Sequence, residues 1–237
     1  AHLAVVTNFR EIFNDHIGAH IMAFILAFAR GLHQYLPQQL NRAWRPAPLD
    51  TGVIHLPEAT ALIVGVGGIG AETARLAAAF GMKVLGVDSR RREAPPGVAE
   101  LHQEASLDSL LPHADFVVLT VPHTPATEGF MNRARFKLMK RSAFFINIGR
   151  GMTTRLDDLV AALNAGEIAG AALDVFEQEP LPADHPLWTM PGVLITPHTA
   201  GFGPYLDDRR YDILSDNCRR FLAGQSLRNV VDKSKWF

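Results

Sequence analysis

The sequence predicts an α/β fold built on a doubly wound parallel sheet, and three observations carry that prediction. From residue 61 onward short, continuous apolar runs alternate with helix-patterned stretches. A glycine-rich turn joins the first run to an alanine-rich helix, and the polar residues suited to chemistry fall just beyond the ends of later runs. With 237 residues, 48% hydrophobic and 20% charged, the chain can bury a substantial core. A formal charge of -1 provides no field for nucleic acid or an anionic membrane, so a small-molecule partner is expected. Cys218 is the single cysteine, which excludes an internal disulfide and a Cys-rich zinc site and suits a reducing cytoplasm.

Taken in order, residues 15–36 read as a helix with apolar residues all round its middle: Ile21, Met22, Phe24, Ile25, Leu26 and Phe28. That pattern suits burial on several sides, at a domain or subunit interface. Its apolar run, 21–29, is too short to cross a bilayer. Residues 37–57, punctuated by Pro37, Pro46, Pro48 and Pro57, read as a loop-rich connector whose Trp44 can reach a neighbouring subunit. Strand 61–64, helix 69–80, and strands 83–87, 116–121 and 143–148 follow, then helix 156–165 and strands 171–175 and 193–195. Gly81 ends one helix; Thr154 with Asp157 opens another, which Gly166 ends. An amphipathic helix over 204–222, rich in Asp and Arg, precedes an irregular tail.

Gly65-Val66-Gly67-Gly68-Ile69-Gly70 fits G-x-G-x-x-G between a strand and a helix, the setting in which that motif binds a dinucleotide. Gly65 permits the tight turn, Gly67 lets backbone approach a pyrophosphate, and Gly70 lets helix and strand pack closely; Gly68 and Ile69 open the helix whose N-terminus faces the phosphates. This is an NAD(P)-binding Rossmann arrangement. Asp88 ends the next strand where an acid accepts hydrogen bonds from the adenosine ribose of NAD, and its charge repels a 2′-phosphate. Arg90, Arg91 and Arg92 follow, either to clasp such a phosphate or to sit in a solvated loop; NAD is expected over NADP.

Arg150, Glu179 and His198 each lie just past a strand, where ligands collect in such a sheet. A histidine held by a carboxylate passes a proton near neutral pH, and an arginine holds a substrate carboxylate by two parallel hydrogen bonds. In Asn147-Ile148-Gly149-Arg150-Gly151 the flanking glycines are read as letting backbone and guanidinium approach a ligand.

The glycine loop, Asp88, NIGRG, ALDVFEQEP and TPHTAG, in this order, resemble the D-isomer-specific 2-hydroxyacid dehydrogenase family over nearly the whole chain. The resemblance implies that Arg150 binds the substrate carboxylate and carbonyl, His198 exchanges a proton with the 2-oxygen, and Glu179 orients His198. By the same resemblance Asp174 holds the nicotinamide carboxamide, Val121, Pro122, Ile148 and Gly201 line the cofactor cleft, and Thr127 and Gly149 join the cofactor set. The family places its acid immediately before a proline, here Pro180, which favours Glu179 over Glu177. The implied reaction moves a hydride between NAD(H) and a small D-2-hydroxy acid or 2-oxo acid. The alternative is an NAD(H)-sensing, corepressor-like binding protein of the same fold. Glu179, where a formate dehydrogenase has glutamine, argues against that activity.

The resemblance also implies a flavodoxin-like substrate lobe, roughly ninety residues of which would precede Val5-Val6-Thr7-Asn8 by typical two-domain size. Residues 1–10 are then the end of that lobe and the first crossing, 11–197 the NAD-binding domain with its dimerisation helix and connector, and 198–237 the second crossing, last helix and tail. A homodimer with facing cofactor domains is expected. Among weaker signals, His16 and His20 share a helix face at metal-ligand spacing but lack a third ligand, so no metal is expected. His123 and Thr124 border the adenine side of the cleft or lie in a plain loop. Trp188, Phe202 and Tyr205 either shape specificity or pack.

Overall fold

The computed structural model describes residues 4–48 and 52–233; the rest of the expected connector, first segment and tail lies outside the described residues. Seven parallel strands form one sheet: β1 (Thr60–Val64), β2 (Lys83–Val87), β3 (Glu100–His102), β4 (Phe116–Leu119), β5 (Phe144–Asn147), β6 (Gly170–Leu173) and β7 (Val193–Ile195). Their spatial order, β3-β2-β1-β4-β5-β6-β7, reverses direction between β1 and β4, so a crevice opens there beyond the carboxyl ends of the strands. The helices are α1 (Asn14–Ala29), α2 (Leu32–Leu40), α3 (Gly68–Ala79), α4 (Leu107–Leu110), α5 (Arg133–Leu138), α6 (Leu156–Asn164) and α7 (Leu206–Leu222).

Side chains alternate along each strand, and that period of two builds two cores. Leu62, Val117, Leu119 and Phe145 face α5 and α6, whereas Ile63, Phe116, Val118 and Ile146 face α1 and α3. Phe28 of α1 stacks on Phe144 with centroids 4.2 Å apart. The apolar girdle of α1 is therefore largely consumed inside this chain, through Ile21, Ile25 and Phe28. Burial on several sides is observed, but the chain's own core is its cause.

The expected single helix over 15–36 is two. Gly31 adopts φ 69°, a left-handed turn that ends α1 and starts α2, and Pro37 lies inside α2 instead of opening a loop. Gly81 and Gly166 end α3 and α6 with φ 83° and 61°. The start of α6 differs from expectation: no side chain at its N-cap bonds the helix, Thr154 instead accepts from Asn147, and the first amide, Leu156 N–H, donates to Glu177 at 2.9 Å. Near the chain ends, Thr7 bridges Val230 antiparallel, and Asn8 N–H donates to the Asn229 carbonyl at 3.1 Å.

Candidate active site

Because every strand runs the same way, the segments following β1, β2, β4, β5, β6 and β7 meet at one edge of the sheet. At the crevice between β1 and β4 an open cavity of about 470 Å³ is lined by Gly65, Gly67, Asp88, Val121, Pro122 and Thr127 among others. A second, of about 600 Å³, is bounded by Gly67, Gly68, Ile69, Gly70 and Arg91. The glycines of the loop have separable reasons. Gly65 turns at φ 97°. A Cβ on Gly70 would stand 2.0 Å from the Gly65 carbonyl oxygen, so helix and turn touch backbone to backbone there. A Cβ on Gly67 would meet nothing within 4 Å: the protein keeps this space open. No side chain caps the amides that begin α3, and such unpaired N–H groups attract a phosphate.

Asp88 holds the loop from the side. Its carboxylate accepts from the backbone N–H of Val66 (2.8 Å), Arg90 (2.9 Å) and Arg91 (2.8 Å). Burial pushes this carboxyl up, but the three amides and the Arg90 charge outweigh it and leave its pKa below the ordinary range. Arg91 turns back to the Val66 carbonyl at 2.9 Å, Arg92 bonds Gln103 and Ser89, and Arg90 lines the cavity. Thr127 ties the β4 loop together through the Pro122 carbonyl at 2.6 Å. Thr124 lines the cavity, while His123 lies 3.7 Å from Glu128. Thr120, which sequence reasoning missed, donates to the Gly65 carbonyl and borders both cavities. A small hydroxyl directly after an apolar strand was the available signal.

Farther along the same edge the three chemistry-bearing residues stand on the loops after β5, β6 and β7. Glu179 Oε2 accepts from His198 Nδ1 at 2.7 Å, and its Oε1 accepts from Phe176 N–H at 3.0 Å. Burial raises the Glu179 pKa, yet the His198 hydrogen bond, the Phe176 amide, and the charges of His198 and Arg150 bring it below the ordinary value. The carboxylate is thus charged at neutral pH and holds one ring nitrogen, leaving Nε2 with no partner among the described residues. Arg150 donates from Nη1 to the Gly149 carbonyl at 2.6 Å and is otherwise exposed. Glu177 is engaged elsewhere, capping α6.

The remaining site residues make the following contacts within the fold. The glycines around Arg150 serve packing: a Cβ on Gly149 would stand 2.7 Å from the Val121 carbonyl oxygen, and one on Gly151 1.8 Å from that of Phe176. Ile148 is only 5% exposed and packs in the core cluster shared with α1. Gly201 faces Phe13 and Ile17. Asp174, 1% exposed, accepts from Thr196 Oγ1 (2.6 Å), Thr199 N–H (2.9 Å) and Ala200 N–H (2.9 Å), and so braces the loop that carries His198. Asn147, also missed, organises the β5 turn by accepting from Gly149 N–H and donating to Thr154. Trp188 donates to the Pro182 carbonyl at 2.8 Å, and Phe202 and Tyr205 are exposed. His16 and His20 face the 196–204 segment, and among the described residues no group of three or more His, Cys, Asp or Glu is disposed to hold a metal. Among the same residues, no helix is long and apolar enough to cross a membrane.

Known proteins resemble this chain over most of its length. A glyoxylate/hydroxypyruvate reductase A of Yersinia enterocolitica is 33% identical over 90% of this chain and 66% of its own length. A glyoxylate reductase of Thermofilum pendens is 35% identical over 96% of this chain and 68% of its own. Among solved structures, the NADPH-dependent glyoxylate/hydroxypyruvate reductase of Sinorhizobium meliloti, in complex with NADP and sulfate, superimposes with a TM-score of 0.89. It is 32% identical and covers 100% of this chain and 74% of that one. The chain therefore spans about two thirds to three quarters of such relatives. Residues 22–200 match the family described as D-isomer specific 2-hydroxyacid dehydrogenase, NAD binding domain, and the chain belongs to that family of NAD(P)-dependent oxidoreductases.

Proposed function

We propose that this chain carries the cofactor cleft and the proton-transfer centre of an enzyme interconverting a small 2-oxo acid and its D-2-hydroxy acid. The observation that carries the reading is the 2.7 Å His198–Glu179 contact at the sheet edge that also bears the glycine loop and Arg150. The open space at Gly67 and the uncapped start of α3 fit a dinucleotide pyrophosphate, and the Asp88 carboxylate on the cavity wall supports NAD(H) over NADP(H). Arg90, beside it, is the group through which a 2′-phosphate would be held.

When bound, the nicotinamide cofactor supplies the hydride. The protein's part is to hold the 2-oxo acid and manage its oxygen. Arg150 binds the substrate carboxylate and carbonyl by its planar fork. His198, its Nδ1 fixed on Glu179, presents Nε2 to the 2-oxygen and donates a proton as negative charge develops there; in the reverse direction it accepts that proton. Glu179 orients the ring and stabilises its charged form. Glyoxylate and hydroxypyruvate, named for the relatives above, are the first substrates to try.

Residues 1–10 and 198–237 are proposed to belong with a substrate lobe. The Thr7–Val230 bridge and the exposed Val5, Tyr211, Leu214 and Phe221 support that assignment. A homodimer is proposed through α2 and the connector, where Leu36, Leu40 and a 95% exposed Trp44 stand out of the fold; a monomer by light scattering at micromolar concentration would overturn it. The function is tested by following NADH and NADPH oxidation against a panel of 2-oxo acids, with nucleotide binding measured by fluorescence in the same samples. Turnover of one 2-oxo acid supports the enzyme. Nucleotide binding with no turnover by the chain, alone or with the lobe supplied, supports the sensor.

A further inference from the structure

The two histidines four residues apart on α1 have no place in the mechanism above, yet both reach the segment that carries the proton-transfer histidine. His20 Nε2 lies 3.0 Å from Thr196 Oγ1, and His16 Nε2 lies 3.2 Å from the Pro204 carbonyl oxygen, with Gly203 closely packed on the His16 ring. Residues 196 and 204 bracket His198. The shared helix face suited to a metal is used instead to grip one loop at two points.

The direction of the bonds is fixed by the donors available. A threonine hydroxyl has one proton and two lone pairs. The Thr196 proton goes to Asp174 Oδ1 at 2.6 Å, so toward His20 the same oxygen must accept, and the His20 proton sits on Nε2. The result is a directed chain, His20 to Thr196 to Asp174, whose carboxylate in turn accepts from the amides of Thr199 and Ala200. Burial holds His20 below the ordinary imidazole pKa against the pull of Asp174, so the clamp works with a neutral ring; a protonated ring would donate from Nε2 as well. The His20 and Phe24 rings pack perpendicular to each other with centroids 4.7 Å apart, which restrains rotation of the imidazole.

The loop needs such restraint. His198 has φ 55°, a left-handed conformation that a non-glycine residue keeps only when its surroundings over-determine it. The bonds on Asp174, the His198 N–H to Thr196 carbonyl contact at 3.1 Å and the Phe202 N–H to Thr199 carbonyl bond at 2.8 Å are local to the β6 and β7 ends. Among the described residues, the hydrogen bonds that reach this loop from another layer of the fold come from the α1 histidines, beside the packing of Gly201 on Phe13 and Ile17.

We propose that His20 is a positioning residue: through Thr196 and Asp174 it locks the loop over residues 196–200 in the strained conformation that aims His198 at Glu179, with His16 holding the far end. The proposal rests on reading His198 as the proton-transfer group only for its kinetic consequence; the clamp itself is a statement about the loop.

The test compares His20→Phe, His20→Gln, Thr196→Val and the His20→Phe/Thr196→Val double variant of the full chain, with backbone amide exchange as first readout. Phe keeps the ring and its packing but has no donor; Gln carries an N–H near the place of Nε2. His20→Phe is expected to speed exchange at Thr199 and Ala200 by about tenfold with amides of β1 and β4 unchanged, the size of a lost hydrogen bond. Gln should restore most of the protection, and the double variant should be no worse than Thr196→Val alone, which already removes both the bond from His20 and the bond to Asp174. In the catalytically competent enzyme the Phe variant should lower kcat several-fold at unchanged KM for NADH, and Gln should recover it. Wild-type exchange at Thr199 and Ala200 in His20→Phe, equal damage from Phe and Gln, or additive effects in the double variant would each overturn the proposal. Because exchange is read without turnover, a failed clamp is distinguishable from a failed assignment of His198, which His198→Gln reports separately.

Discussion

Gly67→Ala and Gly70→Ala add the same methyl group three residues apart in one loop, and the structure separates their effects. At Gly70 the new Cβ would stand 2.0 Å from the Gly65 carbonyl oxygen, a backbone atom that cannot rotate away, so α3 must shift off the turn. Overpacking of this kind costs about 3 kcal/mol, which for a chain of this size lowers Tm by roughly 6–12 °C. At Gly67 the Cβ meets nothing within 4 Å, and φ is -76°, outside the left-handed region that favours glycine. The free protein should then be unchanged or stabilised by roughly 0.4–1 kcal/mol. The methyl group instead occupies space kept for a ligand. Losing one charge-assisted bond to a phosphate, about 1.5–3 kcal/mol, weakens NADH binding roughly 10- to 100-fold. Differential scanning fluorimetry and NADH fluorescence titration on the same preparations read both quantities. NADH affinity within about twofold of wild type in Gly67→Ala, or a wild-type melt in Gly70→Ala, would refute the division between a ligand glycine and a packing glycine.

Three further outcomes are expected. Glu179→Gln keeps an acceptor for His198 Nδ1 but removes the charge that supports a protonated ring, so steady-state kcat should fall by about tenfold or more with NADH affinity unchanged. Arg150→Lys replaces a planar fork by a point charge and should raise KM for the 2-oxo acid by about tenfold or more, while KM for NADH stays put. Asp15, Asp88 and Glu179 have carboxyl pKa values lowered in the folded state: Asp15 by the Arg209 hydrogen bond, Asp88 and Glu179 by hydrogen bonds that outweigh burial. The unfolded chain therefore binds more protons, and the stability these groups contribute is fully present above the unfolded carboxylate values near 4 and lost as pH falls through the folded ones. Urea midpoints should be flat from about pH 6 to 7 and drop below about pH 4, with a shallower drop in Asp88→Asn.

The parallel sheet was legible because its strands are buried on both faces and so read as unbroken apolar runs; the bounds of β2 and β7 follow directly from their runs. The β4 run reads too long because Val121 continues the apolar pattern, whereas Pro122 offers no N–H to a ladder and the chain turns away to line the cavity. Gly31 falls inside the expected helix over 15–36, since nothing in a local pattern announces φ 69°. β3, an edge strand of three residues with exposed Glu100, and α5, with Phe136 as its only buried residue, lack the periodicity that marks an element. In the site, residue type and order after each strand pointed to Arg150, Glu179 and His198. What stayed hidden were partners set by tertiary contact: Glu177 as the cap of α6, Asp174 as the brace of the His198 loop, and His20 reaching Thr196 across 176 positions of sequence.

The central claim is that His198, held by Glu179, moves the proton that accompanies reduction of a 2-oxo acid. Single-turnover NADH oxidation with glyoxylate, comparing wild-type and His198→Gln enzyme at equal nucleotide occupancy, tests it most directly. A fall in rate of about 10²–10⁴-fold with unchanged NADH binding is predicted. A His198→Gln rate equal to that of the wild type would contradict the account.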